Sequence, residues 1–353
     1  MFLPKEYLYN LVTGKIRGPL AAILRGVLFV FSLLYGLGVI ILAGFYKMRQ
    51  ARINCKVISV GNITLGGTGK TALVEYLVAK ISSKGNKVAV LSRGYKRDAR
   101  LPAAAGMGDE PEMLQKKFPQ IPVIVNKDRL KAASRAIKDY AVDTLILDDG
   151  LQQWRIFKDL EIVTIDALNP FGNFRLLPAG FLREPLGALR RADIFVLTQS
   201  NPDQDITLLA LRLRQLNPRA LIVESRHRPE GFSNLNKPDE ALSIDNFKGK
   251  SAIVFSGIGN PRAFEDTARS LGINTAEALR FNDHHDYTQA DLDGIIKRAN
   301  EGNTDMIITT EKDAVKIARL KVKQGRIFSL KIKLSITKNE AEFDRRLFKL
   351  YSL

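Results

Sequence analysis

Residues 57–77 read VISVGNITLGGTGKTALVEYL, and the fold class follows from this stretch. A β-branched run leads into a glycine-rich turn, which closes on Gly69, Lys70 and Thr71 before an apolar-periodic helix. The backbone N–H groups of such a turn and the positive end of the helix dipole together form a cradle for phosphate groups. Lys70 is spaced to reach the β- and γ-phosphates of a nucleotide, and the Thr71 hydroxyl is spaced to bind Mg²⁺.

The match to the usual phosphate-loop pattern, G-x-x-x-x-G-K-[ST], is imperfect at its first glycine. Thr64 occupies that position, whereas Gly66 and Gly67 keep the turn conformationally permissive. A strand before the turn and a helix after it are the context that a phosphate loop requires. This context argues against the alternative, a chance glycine-rich turn.

The composition allows two domains and points to an anionic partner. The chain has 353 residues, and its 54 Lys and Arg exceed its 37 Asp and Glu, which gives a formal charge of +17. This excess suits nucleic acid, anionic lipid or a phosphorylated substrate without choosing between them. Cys55 is the single cysteine, which excludes an internal disulfide and a cysteine-based zinc site. Three histidines argue against a histidine-rich metal site.

Residues 26–46, GVLFVFSLLYGLGVIILAGFY, contain no charged side chain. At about 1.5 Å per residue, a helix of this length crosses a hydrocarbon layer of about 30 Å. The segment lacks the cleavage site of a signal peptide, so we predict a membrane anchor. A helix that lies in the interface or is buried in a core is the alternative. Basic residues flank both ends, so the need of the P-loop for cytosolic ATP places the C-terminal flank in the cytoplasm.

A second polar cluster follows a strand predicted over residues 144–147. Asp148 and Asp149 close this apolar strand. A carboxylate in this position is the expected partner of a phosphate loop, because it binds or orients the magnesium that bridges the phosphates. Two solvent-facing acids at a strand end are the alternative, and the P-loop upstream favours the magnesium role.

Three further segments can each be interpreted in two ways when they are considered alone. Arg93 and Tyr95 follow a strand at residues 87–91, where ligands of α/β sheets bind, but a solvated basic loop explains them equally well. Asp109 begins the segment Asp-Glu-Pro, which is typical of a helix start. His284 precedes another predicted helix and, on sequence grounds alone, is equally well explained as a surface histidine.

Strand–helix alternation in both halves predicts an α/β protein. We expect a P-loop NTPase-like parallel-sheet domain, a second and smaller α/β domain, and an N-terminal hydrophobic membrane helix. The predicted boundaries are residues 1–50 for the membrane-anchor region, 51–223 for the P-loop domain, 224–250 for a polar linker and 251–353 for the C-terminal domain.

The order of the motifs resembles that of the tetraacyldisaccharide 4′-kinases, the lipid A 4′-kinases of Gram-negative bacteria. The resemblance spans almost the whole chain and rests on GNITLGGTGKT, LSRGY, GDEP, DDGLQ, GNFRLLPAGFLREP, DHH and TTEKDA behind a hydrophobic helix. It implies transfer of the γ-phosphate of ATP to the 4′-hydroxyl of tetraacyldisaccharide 1-phosphate, which forms lipid IVA. The implied location is the bacterial inner membrane, with the catalytic domains on the cytoplasmic face.

The resemblance also implies residue roles, with ATP and Mg²⁺ as cofactors. Asp109 would take the proton of the sugar hydroxyl, assisted by His284, while Lys70 and Asp149 act at the phosphates. The phosphate cradle would be Gly66, Gly67, Thr68, Gly69, Lys70 and Thr71. The magnesium site would be shaped by Thr71, Asp148, Asp149 and Glu184. Contacts to substrate phosphate or the transferring group would come from Arg93, Tyr95, Arg129, Gln152 and Arg183.

Residues that depart from the family pattern leave every proposed catalytic group in place. They are Ala72, Gln153, Phe174 and Phe181. The implied partners are the lipid substrate and an anionic membrane surface, with no nucleic acid, and the protein is expected to be a monomer. Another class of function is a membrane-attached P-loop GTPase or ATPase switch, or a metallochaperone. The NKDR segment at residues 126–129 looks like a guanine motif but precedes the acidic strand, which argues against that class.

Overall fold

A computed structural model describes residues 5–94, 107–198, 205–322 and 325–352 of the protein. The α-helices are α1 (Lys5–Val12), α2 (Pro19–Lys47), α3 (Lys70–Ser82), α4 (Asp109–Lys117), α5 (Arg129–Tyr140), α6 (Thr207–Leu216), α7 (Pro261–Ser270), α8 (Gln289–Glu301), α9 (Glu311–Ile317) and α10 (Glu340–Phe348).

The β-strands alternate with these helices along most of the chain. They are β1 (Lys56–Gly61), β2 (Val88–Ser92), β3 (Val123–Val125), β4 (Thr144–Asp148), β5 (Leu160–Asp166), β6 (Ile194–Thr198), β7 (Leu221–Asn234), β8 (Lys237–Leu242), β9 (Ser251–Ser256), β10 (Asn274–Arg280), β11 (Met306–Thr310) and β12 (Ile327–Lys338). The predicted α/β class is confirmed.

The chain divides into two compact units that are discontinuous in sequence. Unit 1 comprises Met1–Arg93, Asp128–Arg226 and Ile336–Leu353, and unit 2 comprises Gly94–Lys127 and His227–Ser335. The P-loop lies in unit 1. Each unit carries its own buried core.

Unit 1 contains a parallel sheet in the order β7-β6-β5-β1-β4-β2. The apolar residues of β1 and β4 are buried on both faces, as expected for a parallel sheet covered by helices. Val60 at the end of β1 pairs with Asp148 at the end of β4. This register brings the acidic strand end beside the start of the P-loop, which is where open α/β sheets bind ligands.

Unit 2 contains parallel strands that pair in the order β10-β9-β11-β12. Its core includes Phe232, Val254, Ile308 and Leu330. Helices α7 and α8 pack against β9. The predicted second α/β domain is therefore confirmed.

The observed units correct the predicted boundaries at residues 94–127. These residues were expected in the P-loop domain, yet the contacts assign them to unit 2. The reason is tertiary packing between α4 and α9, which no sequence pattern reveals. Glu112 of α4 forms an ion pair with Arg319, and Lys117 lies 3.9 Å from Glu311.

The C-terminal boundary and the linker also differ from the prediction. Residues Ile336–Leu353 return to unit 1, where Lys80 of α3 forms an ion pair of 2.5 Å with Asp344 of α10. The predicted linker, residues 224–250, contains the antiparallel pair β7–β8. Phe232 within it is fully buried and stacks on Phe247 with ring centroids 4.0 Å apart. Its polar residues concealed this strand pair, because the exposed part of a strand carries polar side chains.

The N-terminal hydrophobic segment forms α2, which is longer than the predicted 26–46. Among the described residues, α2 is the helix with the length and composition to cross a membrane. Gly36 is one of its few buried residues, and a Cβ there would come within 2.6 Å of Leu176. Tyr35 donates a hydrogen bond of 2.9 Å to the backbone carbonyl of Arg183. The helix therefore packs on residues 173–185 of unit 1 and leaves most of its apolar surface exposed.

Candidate active site

The P-loop of unit 1 has the backbone that its glycines predict. Gly66 (φ 118°) and Gly69 (φ 75°) both have positive φ, which glycine adopts without steric cost. Gly69 caps α3, so Lys70 and Thr71 are the first two residues of the helix and lie at its dipole-positive end. Thr68 is held by its backbone carbonyl and its hydroxyl, which bond to Thr198 and Thr164.

Asn62 is a polar centre of this site that sequence reasoning missed. Its side-chain oxygen accepts hydrogen bonds from Lys70 Nζ at 3.0 Å and from Arg183 at 3.2 Å. Its amide donates to the Thr64 carbonyl at 2.8 Å. This bond closes the turn without a glycine at Thr64 and accounts for the departure from the usual pattern. The only available signal was the position of Asn62, directly after β1 within the motif.

Asp149 lies in an ion-pair cluster with two cations. Arg183 donates to both of its carboxylate oxygens, at 2.7 and 2.9 Å, and Lys70 Nζ lies 3.7 Å away. Burial alone would raise the pKa of the Asp149 carboxyl, but Arg183 and Lys70 outweigh it and hold that pKa below its ordinary value. Asp149 has a positive φ of 56°, a conformation that aspartate tolerates better than most residues. The side chain is therefore ionised and held beside the P-loop lysine.

Asp148 is the buried member of the acidic pair. It is 4% exposed and accepts a hydrogen bond of 3.1 Å from the Ser92 hydroxyl at the end of β2. Arg129 donates to its backbone carbonyl at 3.4 Å and is 2% exposed. Burial lowers the pKa of the Arg129 guanidinium, while Asp148 and Asp149 oppose this shift. Ser92 was not predicted, because a serine at a strand end has no distinctive pattern.

Glu184, predicted at the magnesium site, is 1% exposed and bonded to side chains of unit 1. Arg191 donates to both of its oxygens at 2.9 Å. Gln152 donates to it at 3.1 Å and Trp154 at 3.3 Å. Sequence reasoning missed Arg191 and Trp154, because their partner is set by the course of the loop between β5 and β6. To bind a metal directly, Glu184 would have to exchange these bonds.

We expect the Glu184→Ala variant to be destabilised by about 3 kcal/mol, the typical cost of removing one partner of a buried ion pair. Arg191, Gln152 and Trp154 would each keep a donor without its carboxylate. Chemical unfolding followed by circular dichroism measures the loss, and the fluorescence of Trp154, the single tryptophan, reports the local change. Glu230→Ala is the matched control, because Glu230 is 45% exposed in its ion pair. Equal stability of the two variants would contradict the prediction.

In unit 2, the structure brings Asp109 and His284 together. Asp109 is the first residue of α4, and its Oδ2 lies 3.2 Å from His284 Nδ1. Lys316 of α9 lies 3.1 Å from the same oxygen. Burial alone would raise the pKa of the Asp109 carboxyl, but His284 and Lys316 outweigh it and hold that pKa below its ordinary value. Asp109 therefore carries its charge at neutral pH.

The turn that carries both histidines brings His284, rather than His285, to Asp109. His284 has a positive φ of 59°, and its backbone N–H donates to the Gly257 carbonyl at 3.0 Å. His285 instead packs against Phe281, at 4.8 Å between ring centroids, and bonds to Asp291 at 3.2 Å. Only the first of the two histidines contacts Asp109.

Arg93 and Tyr95 are the other two residues that were predicted to contact the substrate. Arg93 is exposed at the end of β2, and Tyr95 lies outside the described residues.

Within the described ranges, no three His, Cys, Asp or Glu side chains form a group that could hold a metal. Thr71 and Asp148 supply oxygen atoms at the P-loop. Mg²⁺ in nucleotide sites typically takes only one or two ligands from the protein, and substrate phosphates and water supply the others.

Comparison with known proteins identifies the family. The family model for LpxK, tetraacyldisaccharide-1-P 4′-kinase, matches residues 24–352. The tetraacyldisaccharide 4′-kinase of Halothermothrix orenii is 36% identical over 349 residues, covering 91% of this chain and 90% of that protein. The corresponding protein of Syntrophus aciditrophicus is 38% identical over 329 residues, with 86% of each chain covered.

A solved structure agrees with these relatives. The crystal structure described as the "apo" form of LpxK from Aquifex aeolicus in complex with ATP superposes with a TM-score of 0.73 at 28% identity. The match covers 93% of this chain and 100% of that one. The chain therefore belongs to the tetraacyldisaccharide-1-P 4′-kinase family.

Proposed function

We propose that the protein transfers the γ-phosphate of ATP to the 4′-hydroxyl of tetraacyldisaccharide 1-phosphate and so forms lipid IVA. The observation that carries this proposal is the 3.2 Å contact between Asp109 and His284. A kinase needs a group that accepts the proton of the attacking alcohol, and an ionised carboxylate held by a histidine is suited to that task. Family membership supplies the substrate class, because the named relatives are tetraacyldisaccharide 4′-kinases.

At the nucleotide, the P-loop residues Gly66–Thr71 hold the phosphates through backbone N–H groups. Lys70 and Arg183 neutralise the charge that develops on the transferring group. In the structure both cations contact Asn62 and Asp149, which holds them in place before a ligand binds. Such fixed charges stabilise a transition state without reorganisation during the reaction.

When bound, Mg²⁺ would supply positive charge to neutralise the phosphates. We propose that Thr71 and Asp148 hold it. Asp149 keeps Lys70 and Arg183 in position, and Glu184 supports Gln152 from a buried site. If Glu184 binds Mg²⁺ itself, then Glu184→Gln raises the Mg²⁺ concentration required for half-maximal activity.

At the acceptor, Asp109 takes the hydroxyl proton, and His284 orients its carboxylate. The basic side chains Arg93, Arg129 and Arg183 contact the substrate phosphate or the transferring group, the role predicted for them. Tyr95 and Gln152 complete the predicted substrate contacts. Because these residues all belong to one chain, we propose that the protein acts as a monomer and requires no nucleic acid.

We propose that α2 attaches the protein to the inner membrane, with the catalytic units on the cytoplasmic face. Leu33, Leu34, Leu37 and Ile41 are each more than half exposed on this helix. An apolar surface of this size is unfavourable in water and favourable in a bilayer. Lys47 is the last residue of the helix, and Arg49 and Arg52 follow it. Basic residues near an anionic leaflet contribute about 1 kcal/mol each.

We expect the double substitution Leu34→Asp and Leu37→Asp to release the protein from vesicles, because a charged residue in the centre of a membrane helix costs about 3 kcal/mol. Both positions are exposed, so the fold should be retained. Tyr35→Phe is the matched control on the same helix: it removes the hydrogen bond to Arg183 and keeps the apolar character. Flotation with vesicles containing anionic lipid measures the attachment. Undiminished flotation of the double variant would contradict a membrane role for α2.

A phosphoryl-transfer assay tests the proposed function. Purified protein is mixed with labelled ATP, Mg²⁺ and tetraacyldisaccharide 1-phosphate in detergent, with a control that lacks the lipid. Label in a lipid product supports the kinase. Hydrolysis of ATP or GTP without a labelled lipid would overturn the proposal in favour of a nucleotide switch or metallochaperone.

A further inference from the structure

Two lysines of α9 flank the Asp109–His284 pair, and the kinase chemistry described above assigns neither of them a role. Lys312 Nζ lies 3.1 Å from His284 Nε2, and Lys316 Nζ lies 3.1 Å from Asp109 Oδ2. Their spacing of four residues places both on one face of α9. Both belong to the segment TTEKDAVKI, which contains the motif TTEKDA and to which the sequence analysis gives no residue role.

Lys316 is buried, and its charge is matched by two acceptors. It is 5% exposed and donates a second hydrogen bond, of 2.9 Å, to the His285 carbonyl. A buried ammonium group is costly unless it is paired and hydrogen-bonded. Lys316 thus links the Asp109 carboxylate to the backbone of the turn that carries His284. Burial of the Lys316 ammonium group is favourable only while the Asp109 carboxylate is ionised.

Lys312 determines which nitrogen of His284 carries the proton. A lysine ammonium group is a donor with no acceptor capacity, so Nε2 of His284 accepts from Lys312. The proton of the neutral ring is therefore assigned to Nδ1, which donates to Asp109. A proton added at Nε2 would have to displace Lys312 and would place two positive charges side by side.

Both bonds to Asp109, from His284 and from Lys316, end on Oδ2. Among the described residues, Oδ1 has no such partner and remains as the oxygen that can take a proton. The geometry thus divides the carboxylate into an anchored oxygen and a reactive oxygen.

We propose that Lys312 and Lys316 are positioning residues for the proton acceptor, Lys316 anchoring the Asp109 carboxylate and Lys312 holding His284 in the Nδ1–H tautomer. The inference rests on the proposed function, because the group that gives up its proton is the hydroxyl of the lipid substrate. In the step, the hydroxyl proton passes to Oδ1 of Asp109 and the hydroxyl oxygen bonds to the γ-phosphorus. The bond from that phosphorus to the β–γ bridging oxygen breaks, and ADP leaves with the electron pair.

The charged groups around the pair are consistent with this assignment. Besides His284, Lys312 faces Glu110 of α4 at 3.4 Å and Asp283 at 3.8 Å. These carboxylates are additional acceptors for the Lys312 ammonium group. Lys316 has the single carboxylate Asp109 within ion-pair distance among the described residues.

A purely structural role is the competing explanation, because other ion pairs also join α4 to α9. Arg319 lies two residues after the end of α9 and pairs with Glu112 of α4. Arg319→Met is therefore a matched control: it removes an ion pair to α4 and leaves Asp109, His284, Lys312 and Lys316 unsubstituted.

The first experiment compares the pH dependence of kcat for Lys316→Met and Arg319→Met. Asp109 must be ionised to accept a proton, so activity is present above its pKa and lost below it. Lys316 lowers that pKa, and its removal raises it. We expect the acid limb of Lys316→Met to move up by about 1 pH unit, the usual effect of a nearby opposite charge. We expect kcat at neutral pH to fall about a hundredfold, with the KM for ATP unchanged. Arg319→Met should keep the wild-type acid limb, and the same shift in both variants would overturn the proposal.

The second experiment needs no turnover. The chain has three histidines, so nitrogen-15-labelled histidine gives a simple spectrum in which His284→Gln identifies the His284 signals. Wild type should show the neutral Nδ1–H tautomer, and Lys312→Met should shift it toward the Nε2–H tautomer or the imidazolium. An unchanged His284 signal in Lys312→Met would overturn the role of Lys312. A wild-type protein that phosphorylates no lipid would remove the proposed function, while this spectrum would still decide the tautomer.

Discussion

The Lys70→Ala variant is expected to lose lipid phosphorylation by about a thousandfold, in the range found when a fixed group that stabilises transition-state charge is removed. Lys70 begins α3, and its ammonium group is held by Asn62 at 3.0 Å and near Asp149 at 3.7 Å. Its loss removes a charge that is in place before ATP arrives. Arg183 keeps its bonds to Asp149, so the remaining site should retain its shape.

Lys80→Ala is the matched control for this variant. Lys80 lies on the same helix, and its partners are Glu340 and Asp344 of α10. Its removal should lower stability without affecting phosphate transfer in the folded protein. Labelled-ATP transfer and equilibrium ATP binding are measured on both variants. Lys70→Ala activity within tenfold of wild type would contradict a phosphate-binding role for Lys70.

The Asp109→Asn variant is expected to lower turnover by about 10²–10⁴-fold, the usual contribution of a positioned acid–base group. Asparagine has the size of the carboxylate but cannot take the hydroxyl proton as readily. The affinity for ATP should be unchanged, because the P-loop and its partners, Asn62, Asp149 and Arg183, belong to unit 1. The substitution thus separates chemistry from nucleotide binding.

Glu112→Gln serves as the control for Asp109→Asn. Glu112 lies on the same helix, but its partners are Lys116 and Arg319. Single-turnover kinetics with saturating ATP distinguish slow chemistry from slow product release. A single-turnover rate for Asp109→Asn equal to that of wild type would remove Asp109 from the mechanism.

Local sequence predicted the parts of the fold that depend on neighbouring residues. The β-branched run before the P-loop forms β1, and Gly69 begins α3 as the motif requires. The apolar segment at residues 26–46 lies within α2. In each case the periodicity of side chains or the permissiveness of glycine acts over a few residues, so no distant contact is needed to predict the element.

Side-chain partners were less predictable. Asn62 and Ser92 stand at ends of separate strands, and neither is recognisable until the register of β1, β4 and β2 is known. Arg191 contacts Glu184 because the chain between them folds back through a 3-10 helix. Polar side chains of this kind acquire their function from the neighbours that the fold supplies.

The phosphate-binding loop, the acidic strand end, the α/β class and the membrane-length helix are all properties of short stretches, and the amino-acid order was sufficient for them. The grouping of residues 94–127 with unit 2, and with it the contact of Asp109 with His284 and Lys316, arises from the packing of α4 on α9. Asp109 and His284 are 175 residues apart. Bringing them together depends on buried surface and ion pairs between distant helices, which leave no periodic trace in the chain.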